Sequence, residues 1–326
     1  MPLVKGSSYF PPRIFRNGHL NTMYVHLFRK VNDMHYKRVR IETPDKDFLD
    51  LDFSTVGSDT LVILVHGLEG SSNSIYVKGM ARAVNNNHWD VLSMNLRSCS
   101  GELNRLFSSY HSGKSDDLNT VIQYVLGLNK YSKIHLVGFS LGGNIVLKYM
   151  GEMGTKLSPN LRAAVGVSVP CDLRSSSVHL RKFSNKIYYE RLVHSLKKKA
   201  LQKKVLFPNA PYTSLDVKKV KTFHDFDDLY TAPAHGYKDA DDYYEKCSSK
   251  PLLGDIKTST LLINALDDPF LPEACYPFEE AKFNDHFYLE APKHGGHVGF
   301  DHKVGPKLEL WHETRTIAFL RTQEVL

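Results

Sequence analysis

The chain has 326 residues, 42% of them apolar and 24% charged, with a formal net charge of +7 at neutral pH. That length holds one large α/β core with an insertion, and the apolar content argues against a disordered chain. The longest purely apolar run, LVILV at 61–65, falls far short of the roughly 20 residues of a membrane-spanning helix, and the N-terminus shows no signal-peptide core, so a soluble cytoplasmic protein is expected.

Eight runs rich in β-branched and aliphatic residues predict strands: KRVRIET near 37, FLDLDFS near 48, TLVILVHG near 60, WDVLSMNL near 89, KIHLVGF near 133, RAAVGVSV near 162, STLLINA near 259 and HFYLEAP near 286. The first two have no helix between them and predict an antiparallel hairpin at the sheet edge. From the third onward, strands alternate with the helical patterns SIYVKGMARAVNNN, SDDLNTVIQYVLGLN, LGGNIVLKYMGEM and, at the end, PKLELWHETRTIAFL. Such alternation implies an α/β fold with a mostly parallel central sheet flanked by helices. Between about 172 and 250 helical patterns continue without a buried strand, which reads as a helical cap inserted between two strands of a single domain spanning 1–326. No repeat and no Gly/Ser linker marks a second unit.

Cys99, Cys171, Cys247 and Cys275 are scattered without CxxC spacing, so neither a metal site nor a disulfide framework is expected, and no cofactor is implied. The basic residues concentrate in SLKKKALQKK (195–204) and DVKKVK (216–221). With no aromatic or nucleic-acid motif beside them they read as a solvated helix face, and no nucleic-acid partner is expected.

The stretch KIHLVGFSLGGNIVLKYM carries the chemistry. Gly138-Phe139-Ser140-Leu141-Gly142 is a G-x-S-x-G pentapeptide placed where a strand ends and a helix begins, the setting in which a serine is held exposed on a sharp turn. Ser140 is therefore the candidate nucleophile. It needs a base, and the base needs an acid to hold its tautomer. NALDDPFLP offers Asp267 and Asp268 after one strand, and APKHGGHVGF offers His294 and His297 after the next. Asp268 is favoured because Pro269 and Pro272 tighten the loop behind it, and His297 because Gly295 and Gly296 give it a flexible approach. Asp172, after the preceding strand, is a rival acid. The backbone N–H groups of Leu68, in VHGLEGSS, and of Leu141 are candidate oxyanion donors, with His66 bracing the loop.

With these motifs in order, the whole chain resembles the YheT-like branch of the α/β-hydrolases, which also includes eukaryotic membrane-associated hydrolases. The resemblance is carried by NGHLNTM, DKDFLDLDF, HGLEGSSNSIYVKGM, NLRSCSGELNRLFSSYHSGKSDDL, GFSLGGN, FDDLYTAPAHGYKDADDYY, NALDDPF and HGGHVGF. It implies an α/β-hydrolase fold with a helical cap, a triad on Ser140, Asp268 and His297, and hydrolysis of a small-molecule carboxylic ester, lipid-like in some members. The N-terminal anchor of the eukaryotic members is not expected, which leaves transient contact with a membrane rather than permanent residence. Phe183, Tyr188, Tyr189 and Leu192 are candidates for an acyl pocket or, equally, for the cap's own core. His111 orders a loop, and Asp116 or Asp117 caps the following helix. The same triad would serve a thioesterase or amidase, and a non-catalytic scaffold binding an apolar ligand or partner is the alternative from another class.

Overall fold

The computed structural model describes residues 3, 4, 6–301 and 310–323. Its strands are β1 (Lys37–Glu42), β2 (Phe48–Ser54), β3 (Thr60–Val65), β4 (Asp90–Asn95), β5 (Lys133–Phe139), β6 (Leu161–Val167), β7 (Thr260–Ile263) and β8 (Phe287–Glu290). They form one sheet in the order β1-β2-β4-β3-β5-β6-β7-β8. β2 pairs antiparallel with both β1 and β4, and the remaining pairings are parallel.

The helices are α1 (Gly18–Phe28), α2 (Ile75–Asn86), α3 (Ser115–Gly127), α4 (Leu141–Met153), α5 (Leu173–Leu180), α6 (Lys186–Leu206), α7 (Ser214–Lys219), α8 (Phe223–Phe226), α9 (Ala232–His235), α10 (Ala240–Cys247), α11 (Phe278–Phe283) and α12 (Trp311–Thr322). Residues 306–309 of the last predicted helix lie outside the described residues. α1 and α11 were not expected. The first has no polar stripe to betray it, and the second is little more than one turn long.

Why the sheet is covered on both sides follows from β3. All six of its residues are buried, and successive side chains of a strand point to opposite faces. Leu61, Ile63 and Val65 pack with Leu118, Val121 and Ile122 of α3 and with Ile145 and Val146 of α4. Val62 and Leu64 pack with Val77, Met80 and Val84 of α2 and with Ile317 and Leu320 of α12. Each such side chain contributes roughly 1.5–3 kcal/mol by leaving water.

Strand order reverses at β3, which sends the chain to β4 on one side and later to β5 on the other. Open α/β sheets place functional groups at the carboxyl ends of strands beside such a switch. Here those ends lead into His66-Gly67-Leu68 after β3 and Ser140 after β5. α5 to α10 all lie between β6 and β7. α1 and α12 are joined where Arg29, at the end of α1, and Glu313 of α12 form an ion pair at 2.7 Å with both side chains buried.

Candidate active site

Ser140 occupies the step between β5 and α4 with φ 50° and ψ −121°, a conformation that strains a residue with a Cβ and holds its side chain out of the turn. The neighbouring glycines make the turn sterically feasible. A Cβ on Gly138 would stand 2.6 Å from Gly143 Cα, and one on Gly142 would stand 2.7 Å from the carbonyl carbon of Val65.

The Ser140 hydroxyl donates to His297 Nε2 at 3.0 Å. On the other side of the ring, Nδ1–H donates to Asp268 Oδ2 at 2.9 Å, an orientation assigned from the carboxylate, which can only accept. Asp268 Oδ1 also accepts the Phe270 N–H at 2.8 Å. Phe270 then stacks on the imidazole with ring centroids 4.1 Å apart. The Asp268 side chain is fully buried.

The alternatives within each pair find each other instead. His294 Nδ1 lies 3.3 Å from Asp267 Oδ2, and Asp267 Oδ1 accepts the Gly296 N–H at 2.9 Å. Burial raises the Asp267 carboxyl above its usual range. Asp172 is the N-cap of α5, accepting the Ser175 N–H at 2.9 Å, which spends it on a helix end.

A contribution from α1 was not foreseen. Thr22 Oγ1 accepts the His297 N–H at 2.8 Å and donates to Gly18 O at 2.7 Å, so α1 holds the backbone of the loop that carries the imidazole. The motif NGHLNTM was visible in the sequence without a physical role, because nothing local ties residue 22 to residue 297.

The loop after β3 passes close to the serine, since a Cβ on Gly67 would lie 3.1 Å from Ser140 Cβ. His66 Nδ1–H donates to Gly67 O at 2.7 Å, while its Nε2 accepts the Leu96 N–H at 3.0 Å. Burial drives the His66 pKa down to about 4, so it acts as a neutral brace. Leu68 and Leu141 line one cavity together with Ser140 and His297.

A profile of the alpha/beta hydrolase fold matches residues 60–304 of this chain. The chain belongs to the α/β-hydrolase family. Among relatives, it is 36% identical over 324 residues to YheT of Escherichia coli (strain K12), provisionally named an esterase, covering 97% of this chain and 94% of that one. It is 28% identical over 315 residues to the phospholipase ABHD3 of Homo sapiens, covering 93% of this chain and 76% of that one. Its fold is that of the esterase Pf2001 of Pyrococcus furiosus, with a TM-score of 0.62 at 19% identity, covering 98% of this chain and 99% of that one.

Set against that family, the helical insertion forms the far wall of a cavity of about 650 Å³. Tyr188 and Leu192 of α6 line it, as do Leu173, Leu180, Phe223 and Phe226. The other two candidates divide, Tyr189 joining the cap's own core and Phe183 standing at the surface. Phe183 is 89% exposed, and Tyr189 packs on Phe223 within the insertion at 5.0 Å. The lysine-rich stretch is not wholly a solvated face either. Lys203 is 1% exposed, donating to the carbonyls of Asn104 and Leu106, and burial lowers its ammonium pKa to about 8. Lys199 reaches Glu69, beside Leu68, at 2.8 Å.

Two further residues of the YHSGKSDDL motif have roles different from those expected. Asp117 pairs with Arg97 at 2.6 Å and Asp116 with Lys114 at 2.6 Å; neither caps α3, whose N-cap is Lys114. His111 packs edge-on to His235 at 4.4 Å and accepts the Gly113 N–H at 3.2 Å, as befits a residue that orders its loop.

Proposed function

We propose that this chain is a serine hydrolase of carboxylic esters, and the observation that carries the reading is the 3.0 Å contact from Ser140 Oγ to His297 Nε2, with Asp268 on the opposite ring nitrogen. Ser140 Oγ attacks the acyl carbon as its proton passes to His297 Nε2. The Asp268 carboxylate holds the Nδ1–H and stabilises the imidazolium. The oxyanion of the tetrahedral intermediate is received by the N–H groups of Leu68 and Leu141, the second at the N-terminus of α4. Collapse breaks the ester C–O bond, and the departing alkoxide takes the proton from Nε2. Water then gives His297 a proton as its oxygen attacks the acyl-enzyme, and collapse releases the acid and returns the proton to Ser140.

The scheme uses no metal or cofactor. We take residues 1–326 as one hydrolase domain in which about 172–250 form the cap. An apolar wall of leucine, phenylalanine and tyrosine favours a substrate with an acyl chain, a small molecule rather than a nucleic acid. Among the described residues no helix is long and apolar enough to cross a membrane, and all four cysteines are free thiols, which supports a cytoplasmic setting.

Labelling with a fluorophosphonate probe tests the reading, using wild type, Ser140→Ala and His297→Ala. Wild-type labelling lost in both variants, with ester turnover lost in parallel, is the expected result. Folded wild-type protein that neither labels nor turns over any ester would remove the hydrolase reading in favour of a binding scaffold.

A further inference from the structure

The outward side of α1 is apolar where a solvated helix would be polar. Gly18, Asn21 and Val25 are its buried residues, which leaves Leu20, Leu27 and Phe28 facing water together with His26. Its sequence, GHLNTMYVHLF, contains no Asp, Glu, Lys or Arg. Two other segments bring similar side chains to the same place. Leu266 comes from the loop after β7, where the backbone of Asp267 presses so closely on Gly18 that a Cβ there would stand 3.0 Å from its carbonyl carbon. Phe183 and Ile187 come from the start of the α6 region, anchored here by Asn185, which donates to Pro269 O at 2.7 Å. Tyr188 completes the junction, stacking over His19 at 5.9 Å and meeting Phe270 at 5.0 Å.

Six large apolar side chains on these three neighbouring segments are therefore exposed, from 51% at Leu266 to 89% at Phe183. Leu27 and Ile187 also line the cavity that holds Ser140; being mostly exposed, they stand at its mouth. Exposed apolar side chains concentrated on neighbouring segments mark an interaction site. Its fringe is basic. Arg13, Arg16, Lys30, Lys182 and Arg191 are exposed on these segments or the residues that flank them, and Lys186 meets Glu190 at 3.8 Å.

We propose that this face docks on an anionic lipid surface. At about 1.5 Å per residue, α1 is too short to span a bilayer and lies in its plane, its leucines among the acyl chains and the flanking cations at the headgroups. A second copy of the chain is a poorer occupant, because self-association would set these like charges opposite one another. Docking turns the cavity mouth toward the lipid, so an acyl ester reaches Ser140 without crossing water. That purpose rests on the ester-hydrolase reading; the docking itself does not.

The test is flotation with vesicles of phosphatidylcholine alone and of phosphatidylcholine with phosphatidylglycerol. Wild type and Ser140→Ala are expected to bind the anionic vesicles about tenfold more tightly than the neutral ones. The variant Leu20→Glu/Phe28→Glu/Phe183→Glu is expected to bind at least about tenfold more weakly, while still hydrolysing a short water-soluble ester at the wild-type rate. Phe183→Glu alone, at a side chain with almost no packing to lose, provides the same comparison should the triple variant unfold. Binding that is equally weak to both vesicles, or unchanged in the variants, would overturn the proposal. A wild-type dimer that the variants dissolve would overturn it too, assigning the face to a second copy. Docking by a protein that cleaves no ester would leave the docking site standing and remove only the hydrolase reading.

Discussion

Lys199 Nζ donates to Glu69 Oε1 at 2.8 Å, which ties α6 to the residue that follows Leu68. Ser195, one turn earlier on α6, donates to the same carboxylate, and so does Tyr110, at 2.7 Å. Tyr110 also accepts the Glu69 N–H at 3.0 Å. Burial alone would raise the Glu69 carboxyl, but Lys199 and the two hydroxyls hold it below its usual range. The helical insertion and the loop beside Ser140 are thus coupled through one carboxylate.

Breaking one side of that coupling is expected to cost more than removing both. Lys199→Met strands a carboxylate in a nearly dry place and should destabilise by about 3 kcal/mol in urea unfolding, with part of this recovered in Glu69→Gln/Lys199→Met. In turnover, Glu69→Gln is expected to lower kcat by about tenfold with little change in KM, because the Leu68 N–H loses its aim rather than the substrate its pocket. Equal effects on kcat and KM would assign Glu69 to substrate binding instead.

The two His–Asp pairs predict an asymmetry in ester turnover. His297→Ala is expected to lower kcat by about a million-fold and Asp268→Asn by about ten-thousand-fold. His294→Ala should stay within about tenfold of wild type, since its ring meets Asp267 and not the serine. A large loss in His294→Ala with a small one in His297→Ala would exchange their roles.

Gly142→Ala adds a single methyl where the carbonyl of Val65 already stands. Overpacking against a backbone that cannot yield is expected to destabilise by about 3 kcal/mol, read as a lower urea midpoint at unchanged slope. Gly127→Ala, whose Cβ would enter open space, is the matched control and should change stability little.

The buried histidines should weaken the fold in mild acid, offset only in part by Asp301 and Asp227, whose carboxyls burial raises to about 7 and about 6. Burial lowers the pKa values of His66, His135 and His235 to about 4 and pushes that of His111 down as well. Unfolded, all four titrate near their ordinary value of about 6.5. Below that pH the unfolded chain binds protons that the native state refuses, so this stability is complete above pH of about 6.5 and is lost as pH falls toward 4. The slope reaches up to about 1.4 kcal/mol per pH unit for each histidine. Urea midpoints measured from neutral to mildly acidic pH check it, and midpoints that stay flat across that window would contradict it.

The sheet was legible because its strands are buried runs with sharp ends: TLVILV and KIHLVGF announce themselves by composition, and all eight predicted strands are present. The serine turn was legible because its glycines are demanded by contacts within a few residues. What escaped was whatever depends on a distant partner. Nothing near Thr22 names His297, and nothing in SLKKKALQKK separates Lys203, which turns inward to two carbonyls, from its solvated neighbours. Phe183 misled for the opposite reason, since an aromatic at helical spacing reads as interior and here stands outside.

The bond from the His297 N–H to Thr22 links residues 275 positions apart. Synthesis runs from the N-terminus, so on the ribosome the serine turn can be folded long before the histidine loop exists to be held. A chain cut before residue 297 carries the serine and its flanking glycines but not the histidine that meets it. On the triad reading, the order of translation makes the late arrival of the histidine loop the step that arms the serine, and products terminated before it are expected to be inert without an inhibitor.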